Sequence, residues 1–213
     1  MSLPFNYLAI DGPIGAGKTT LATMLAKRFE GVKMLESVEN PFLPAFYEDA
    51  PGSAFQTEIF FLLTRFRQQQ ELAQRGLFDQ LLIADYTFPK NRIFAYLNLS
   101  DDELPLFDKV YLALEPQVPV PDLILYLVSD LETCMKRINK RQRSFERGMS
   151  EEYISELIDA YHHYYHHYTS SPVLVVDTRN LDFLERPEDF EDLVRQLERP
   201  VHGTQYYVPL GNR

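Results

Sequence analysis

The sequence predicts an α/β fold: a parallel sheet of five strands with helices on both faces, built around a phosphate-binding turn. Two observations carry this prediction. Apolar runs alternate with helical patterns, namely "YLAI" at 7 to 10, "VKML" at 32 to 35, "LLIA" at 81 to 84, "LILYLV" at 123 to 128 and "VLVV" at 173 to 176. Short runs of this kind between helices are strands buried on both faces. The first of them passes straight into "DGPIGAGKTTLATMLAKRF", where Gly12, Gly17, Lys18 and Thr19 satisfy G-x-x-x-x-G-K-[ST].

The phosphate loop comes first in the chain. Its chemistry needs backbone N–H groups that wrap phosphates, a helix start whose partial positive charge faces them, a lysine on the β- and γ-oxygens and a hydroxyl on Mg²⁺. Gly12, Pro13, Ile14, Gly15, Ala16, Gly17, Lys18, Thr19 and Thr20 supply that segment, with an apolar strand before it and a helix after it. The pattern alone arises by chance in on the order of one chain per hundred of this size. Its strand and helix flanks make it far more specific.

Farther along, "FQTEIFFLLTR" at 55 to 65 sets Glu58 and Arg65 at the ends of an apolar helical run. Seven residues of helix place them on one face, about 10.5 Å apart along the axis. They are too distant to pair, so each needs another partner. Solvated charges at the edge of a core helix are one reading, and a polar ligand bridging the gap is the other. The remaining helices are marked by their ends: Ser100 with Glu103 as a capping box, Ser150 before "EEYISELIDAYHHYYHHY", and Pro187 opening "PEDFEDLVRQLE". "EPQVPVPD" at 115 to 122 is a stiff connection too short to divide domains, so residues 1–213 read as one domain. The tail from 200 to 213 carries no clear signal.

The composition limits the function. The chain has 213 residues, 45% of them hydrophobic and 24% charged, as in an ordinary globular protein. A net charge of −10 argues against wrapping nucleic acid. Six of the 21 Lys and Arg residues nevertheless fall between 136 and 147, a local cationic patch suited to a small polyanion. The start of the chain lacks a signal-peptide pattern and no apolar run approaches a membrane span, so a cytoplasmic protein is expected. The lone Cys134 rules out an intramolecular disulfide framework; it fits a reducing compartment, or serves as a small apolar filler.

A phosphate loop indicates a nucleoside triphosphate but not its use. The guanine-reading N-K-x-D of GTPases is missing, because "NKRQ" at 139 to 142 has no acid at its last position. A small kinase is the remaining class, and it needs a base, a metal-binding acid and cations over the transferring phosphate. Functional groups of open parallel sheets sit just past the carboxyl ends of strands. Glu36, Asp85 and Asp177 occupy such places. Asp85 suits the Mg²⁺ acid, directly or through water, and Glu36 suits a position beside the acceptor hydroxyl.

Taken together, "GPIGAGKTTLA", "LESVENPFLPAFYED", "AFQTEIFFLLTRFRQ", "IADYTFPKNRIFA" and "RINKRQRSFERGMSEEYISEL" resemble the deoxynucleoside kinase family across nearly the whole chain. The resemblance implies a P-loop kinase fold with an arginine-rich lid at about 136–148, usually assembled as a homodimer. It also implies transfer of the γ-phosphate of ATP, with Mg²⁺, to a deoxynucleoside 5′-hydroxyl. By the same resemblance Glu36 is the general base, Tyr47 and Glu146 hold the 3′-hydroxyl, and Phe94 packs on the base. Arg137, Arg141 and Arg143 are lid arginines on the phosphates or the ATP adenine, and Asp182 and Phe183 belong to the loop around that adenine. Two departures stand out. Many relatives carry Arg-Ser after the acid at Asp85, whereas this chain has Tyr86-Thr87; Asp85 and Tyr86 are expected to contact the substrate, and Lys90 is expected to supply the missing cation. Many relatives also have glutamine where this chain has Glu58.

An ionised glutamate offers only acceptors, and guanine alone presents two adjacent donors, N1–H and the 2-amino group. Arg65 can give to guanine O6 and N7. Hydrogen-bond arithmetic therefore selects deoxyguanosine, with deoxyadenosine or deoxycytidine as the alternative. A thymidylate-type monophosphate kinase, which would not need Glu36, and a noncatalytic ATP-binding module are the other readings. His162, His163, His166 and His167 have i, i+4 spacing but no Glu or Cys partner in a metal motif, and read as an interfacial helix face.

Overall fold

The computed structural model describes residues 3–48, 50–74, 80–141 and 149–208. Six strands form one sheet: β1 (Tyr7–Asp11), β2 (Val32–Met34), β3 (Leu82–Ala84), β4 (Leu123–Val128), β5 (Val173–Asp177) and β6 (Thr204–Tyr207). Their order is β2-β3-β1-β4-β5-β6 and every pair is parallel. The five expected strands are present, and the expectation of five is corrected to six. The added strand, β6, is an edge strand; three of its four residues are exposed, so it lacks the apolar signature of the others. Pairing with β5, from Val173 with Thr204 to Val176 with Tyr207, accounts for it.

The helices are α1 (Lys18–Arg28), α2 (Leu43–Tyr47), α3 (Ser53–Gln74), α4 (Lys90–Asn98), α5 (Leu104–Leu114), α6 (Leu131–Arg141), α7 (Glu151–His167) and α8 (Pro187–Leu197). The end signals operate as chemistry. Ser150 Oγ accepts from the Tyr153 N–H at 3.1 Å, and Glu103 Oε2 accepts from the Ser100 N–H at 3.1 Å. Pro187 opens α8 with Glu188 and Asp189 in its first turn, where the helix dipole favours anions.

Strand alternation divides the core in two. Leu8, Ile10, Leu125 and Val176 face α1 and α8, while Tyr7, Ala9, Ile124 and Val175 face α4 and α7. A third cluster joins Leu62 of α3 to Phe107 and Tyr111 of α5. Because β1 lies between β3 and β4 although β2 follows it in the chain, the connections diverge beside β1. Open α/β sheets bind ligands at such a switch point.

Candidate active site

A cavity of about 370 Å³ opens above the carboxyl ends of β1, β2 and β3. Its floor is the turn after β1. Gly15 has φ 87°, and a Cβ there would lie 2.6 Å from the Cys134 carbonyl oxygen, so only glycine lets the turn pack this closely on α6. Gly12 has φ 145° and a similar approach, 2.6 Å, to the Leu127 carbonyl oxygen. Lys18 Nζ donates to the carbonyls of Gly12 and Pro13 at 2.8 and 2.9 Å. Burial, together with nearby Lys90, lowers its pKa to about 8.

Parallel pairing brings the second and third strand ends together, with Met34 opposite Ala84. Asp85 then bridges the site: its Oδ1 accepts the Glu36 backbone N–H at 2.6 Å, and its Oδ2 accepts the Thr19 hydroxyl at 2.5 Å. Hydroxyl and carboxylate oxygens are the ligands that Mg²⁺ takes, and this contact brings the two groups to one point.

Glu36 is gripped by two cations. Lys90 Nζ donates to both carboxylate oxygens, at 2.8 and 2.6 Å, and Arg65 Nε donates to Oε1 at 2.9 Å, with a second contact from Arg65 Nη2. Burial opposes ionisation, but Lys90 and Arg65 outweigh it and hold the carboxyl far below the usual range. Arg65 also donates through Nη1 to Asn91 Oδ1. Glu58, at the other end of the helical stretch, accepts from Asn98 Nδ2 at 2.7 Å. The two charges of α3 thus have the separate partners that their spacing demanded.

Other expected residues divide into those that line the cavity and those that do not. Tyr47, Phe94, Arg141 and Thr20 line it, together with Ile14, Gly15 and Gly17 of the turn. Lys90 Nζ stands 5.2 Å from the Phe94 ring centre. Tyr86 is a correction: it is fully buried away from the cavity, donating its hydroxyl to Gln68 Oε1 at 2.8 Å. The strand alternation that turns Asp85 toward Thr19 turns the next side chain into the core. Arg137 lies outside this cavity. Its guanidinium ties the Ala16 carbonyl to those of Thr178 and Leu181 at 3.1 to 3.2 Å, clamping the phosphate turn to the loop after β5. Asp182 caps its own turn, accepting from the Leu184 and Glu185 N–H groups at 3.1 Å, and Phe183 packs against the core. Asp177 pairs with Arg179 at 2.5 Å. Arg143 and Glu146 lie outside the described residues.

Sequence reasoning missed Asn98, Asn91 and Asp11. Lys90, Phe94 and Asn98 recur every four residues and so form one helical stripe along the cavity, a signal that could have found Asn98. Asp11 gave none. It is fully buried, accepting from the hydroxyls of Tyr161 and Tyr165 at 3.1 and 2.7 Å, from the Gly12 N–H at 2.9 Å, and from Thr87 Oγ1.

The profile of the deoxynucleoside kinase family matches residues 8–202. The chain belongs to the deoxynucleoside kinase family. It is 38% identical over 202 residues to the deoxyguanosine kinase of Bacillus subtilis, covering 92% of this chain and 97% of that one. It is also 31% identical to the deoxyadenosine/deoxycytidine kinase of the same organism, over 94% and 95% of the two chains. Among solved structures, the deoxyadenosine kinase from M. mycoides with bound dCTP superposes with a TM-score of 0.77 at 27% identity, covering 89% of this chain and 97% of that one. This deoxynucleoside kinase accordingly uses ATP to phosphorylate a nucleoside 5′-hydroxyl. Among the described residues no helix is long and apolar enough to cross a membrane.

Proposed function

We propose that the preferred acceptor of this kinase is deoxyguanosine, and that Glu58 selects it. The observation that carries the reading is a buried carboxylate on the cavity wall where glutamine would offer one donor and one acceptor. Ionised Glu58 meets the N1–H and 2-amino donors of guanine. Adenine and cytosine present a bare ring nitrogen there, and an unmet polar edge costs about 1 to 3 kcal/mol, or roughly ten- to hundredfold in selectivity. Arg65 uses three of its five N–H groups on Glu36 and Asn91, leaving two for the far edge of the base. Phe94 supplies a ring for the base to pack on, and Tyr47 with Glu146 is assigned to the 3′-hydroxyl.

In the reaction, Glu36 orients the 5′-hydroxyl toward the γ-phosphate and accepts its proton. A carboxylate of such low basicity suffices, because the loose transition state of phosphoryl transfer needs little nucleophile activation. Lys18, Lys90 and the lid cations Arg141 and Arg143 offset charge on the transferring group. Thr19 and Asp85 would hold Mg²⁺, which would supply positive charge against the phosphates of ATP. Arg137 fixes the turn to the Thr178 and Leu181 carbonyls of the loop after β5, whose Asp182 and Phe183 are expected at the ATP base. A cytoplasmic homodimer completes the reading.

An assay of the four deoxynucleosides with Mg-ATP tests it. Deoxyguanosine is expected to show the highest kcat/KM, and Glu58→Gln is expected to erode that lead. A preference for thymidine or deoxycytidine would remove Glu58 from its assigned role.

A further inference from the structure

Glu58 is only 3% exposed, yet among the described residues no cation hydrogen-bonds to it. The charged and titratable groups around it are engaged elsewhere or stand off. Arg65 of its own helix and Lys90 of α4 both donate to Glu36, itself an anion across the cavity. Tyr153 of α7 and Tyr47 of α2 face it with phenols, and Arg141 of α6 borders the same cavity. Its hydrogen-bond partner is the neutral amide of Asn98, whose Nδ2 occupies Oε1.

That amide distinguishes the two oxygens. A proton arriving at Glu58 goes to Oε2, because Oε1 already receives an N–H. The protonated side chain then has a fixed donor, Oε2–H, and a fixed acceptor, the second lone pair of Oε1. Adenine presents the matching pair, N1 as acceptor and the 6-amino group as donor. The ionised side chain has two acceptors, which suit guanine. Accepting that Glu58 reads the base, we infer that the Glu58–Asn98 pair gives this one site a second substrate class: guanine deoxynucleosides when Glu58 is ionised and adenine deoxynucleosides when it is protonated. Burial pushes the Glu58 carboxyl up to about 7, with Asn98 only partly opposing, so both forms are populated near neutrality.

The test is the ratio of kcat/KM for deoxyguanosine to that for deoxyadenosine, measured on the full chain with Mg-ATP from about pH 6 to about pH 8.5. Because kcat/KM reports the free enzyme and the two substrates need opposite forms, the ratio should rise by about tenfold per pH unit, whatever the pKa of the group. Titrations common to both reactions cancel in the ratio. In Glu58→Gln, which carries a permanent donor and acceptor, the ratio should be low and flat. Deoxyinosine, with N1–H but no amine, serves as a control that needs no variant, and its profile should run parallel to that of deoxyguanosine. A ratio that does not change with pH in the unmodified chain, or a deoxyinosine profile that follows deoxyadenosine, overturns the inference. Those results would leave the guanine preference standing, whereas failure to prefer deoxyguanosine even at the alkaline end would overturn the preference itself.

Discussion

Lys90 Nζ sits 2.6 Å from Oε2 and 2.8 Å from Oε1 of Glu36, closing both oxygens of the carboxylate assigned to the acceptor hydroxyl. Tyr86 is buried in the core, and Lys90, four residues on, joins Arg65 on this carboxylate. Lys90→Ala is expected to lower kcat by about a hundredfold or more, since removing one preorganised charge donor costs about a hundred- to a thousandfold. KM for the nucleoside should change far less. Unaltered turnover in steady-state assays would show that Arg65 alone suffices.

The hub at Asp11 governs stability. Asp11→Ala leaves the hydroxyls of Tyr161 and Tyr165 buried without their acceptor, each costing about 1 to 3 kcal/mol. Urea unfolding should therefore show a loss of several kcal/mol, on the order of 3. Tyr165→Phe, which removes only one donor, should lose about 1 kcal/mol. Equal losses in the two variants would mean that Asp11 is not the shared anchor.

Stability should also carry the mark of Glu58. Its folded pKa, about 7, lies above the ordinary value of 4.5. Between those two values the folded state binds more protons than the unfolded state, so stability falls as pH rises. The penalty is absent below about 4.5 and complete above about 7, and amounts to about 3 kcal/mol. Glu58→Gln should therefore gain on the unmodified chain by about 2 kcal/mol more at pH 8 than at pH 5, read from urea midpoints and slopes. A pH-independent difference would show that burial places no such load on Glu58.

Lys18 offers a calorimetric test. Its pKa of about 8 reflects burial and a neighbouring lysine, and phosphates laid against it would raise that value. At pH 8 the free protein carries about half a proton on Lys18, so binding ATP should take up about half a proton from the buffer. Titration calorimetry in buffers of different ionisation enthalpy measures the uptake. In Lys18→Met the contribution should disappear, and an unchanged uptake would assign it to another group.

Local patterns in the sequence were sufficient for five strands, the phosphate turn, the cap of α7, the proline start of α8, and the placement of Glu36, Asp85, Glu58 and Arg65. Each of these is written in a period, a turn chemistry or a strand end that a few neighbouring residues determine. Partner choice is not written that way. Arg65 meets Glu36 across 29 positions, Asn98 meets Glu58 across 40, and Tyr165 meets Asp11 across 154. Tyr86 turned from the site to the core, where Gln68 claimed its hydroxyl, and Arg137 found carbonyl partners 41 and 44 positions away. β6, with no buried apolar stripe, exists because the edge of β5 offers hydrogen bonds to it. The sequence determined which chemical groups stand at the ends of the strands. Tertiary packing alone decided which of them share a charge, a proton or a wall of the cavity, because those pairings depend on distances that chain order does not contain.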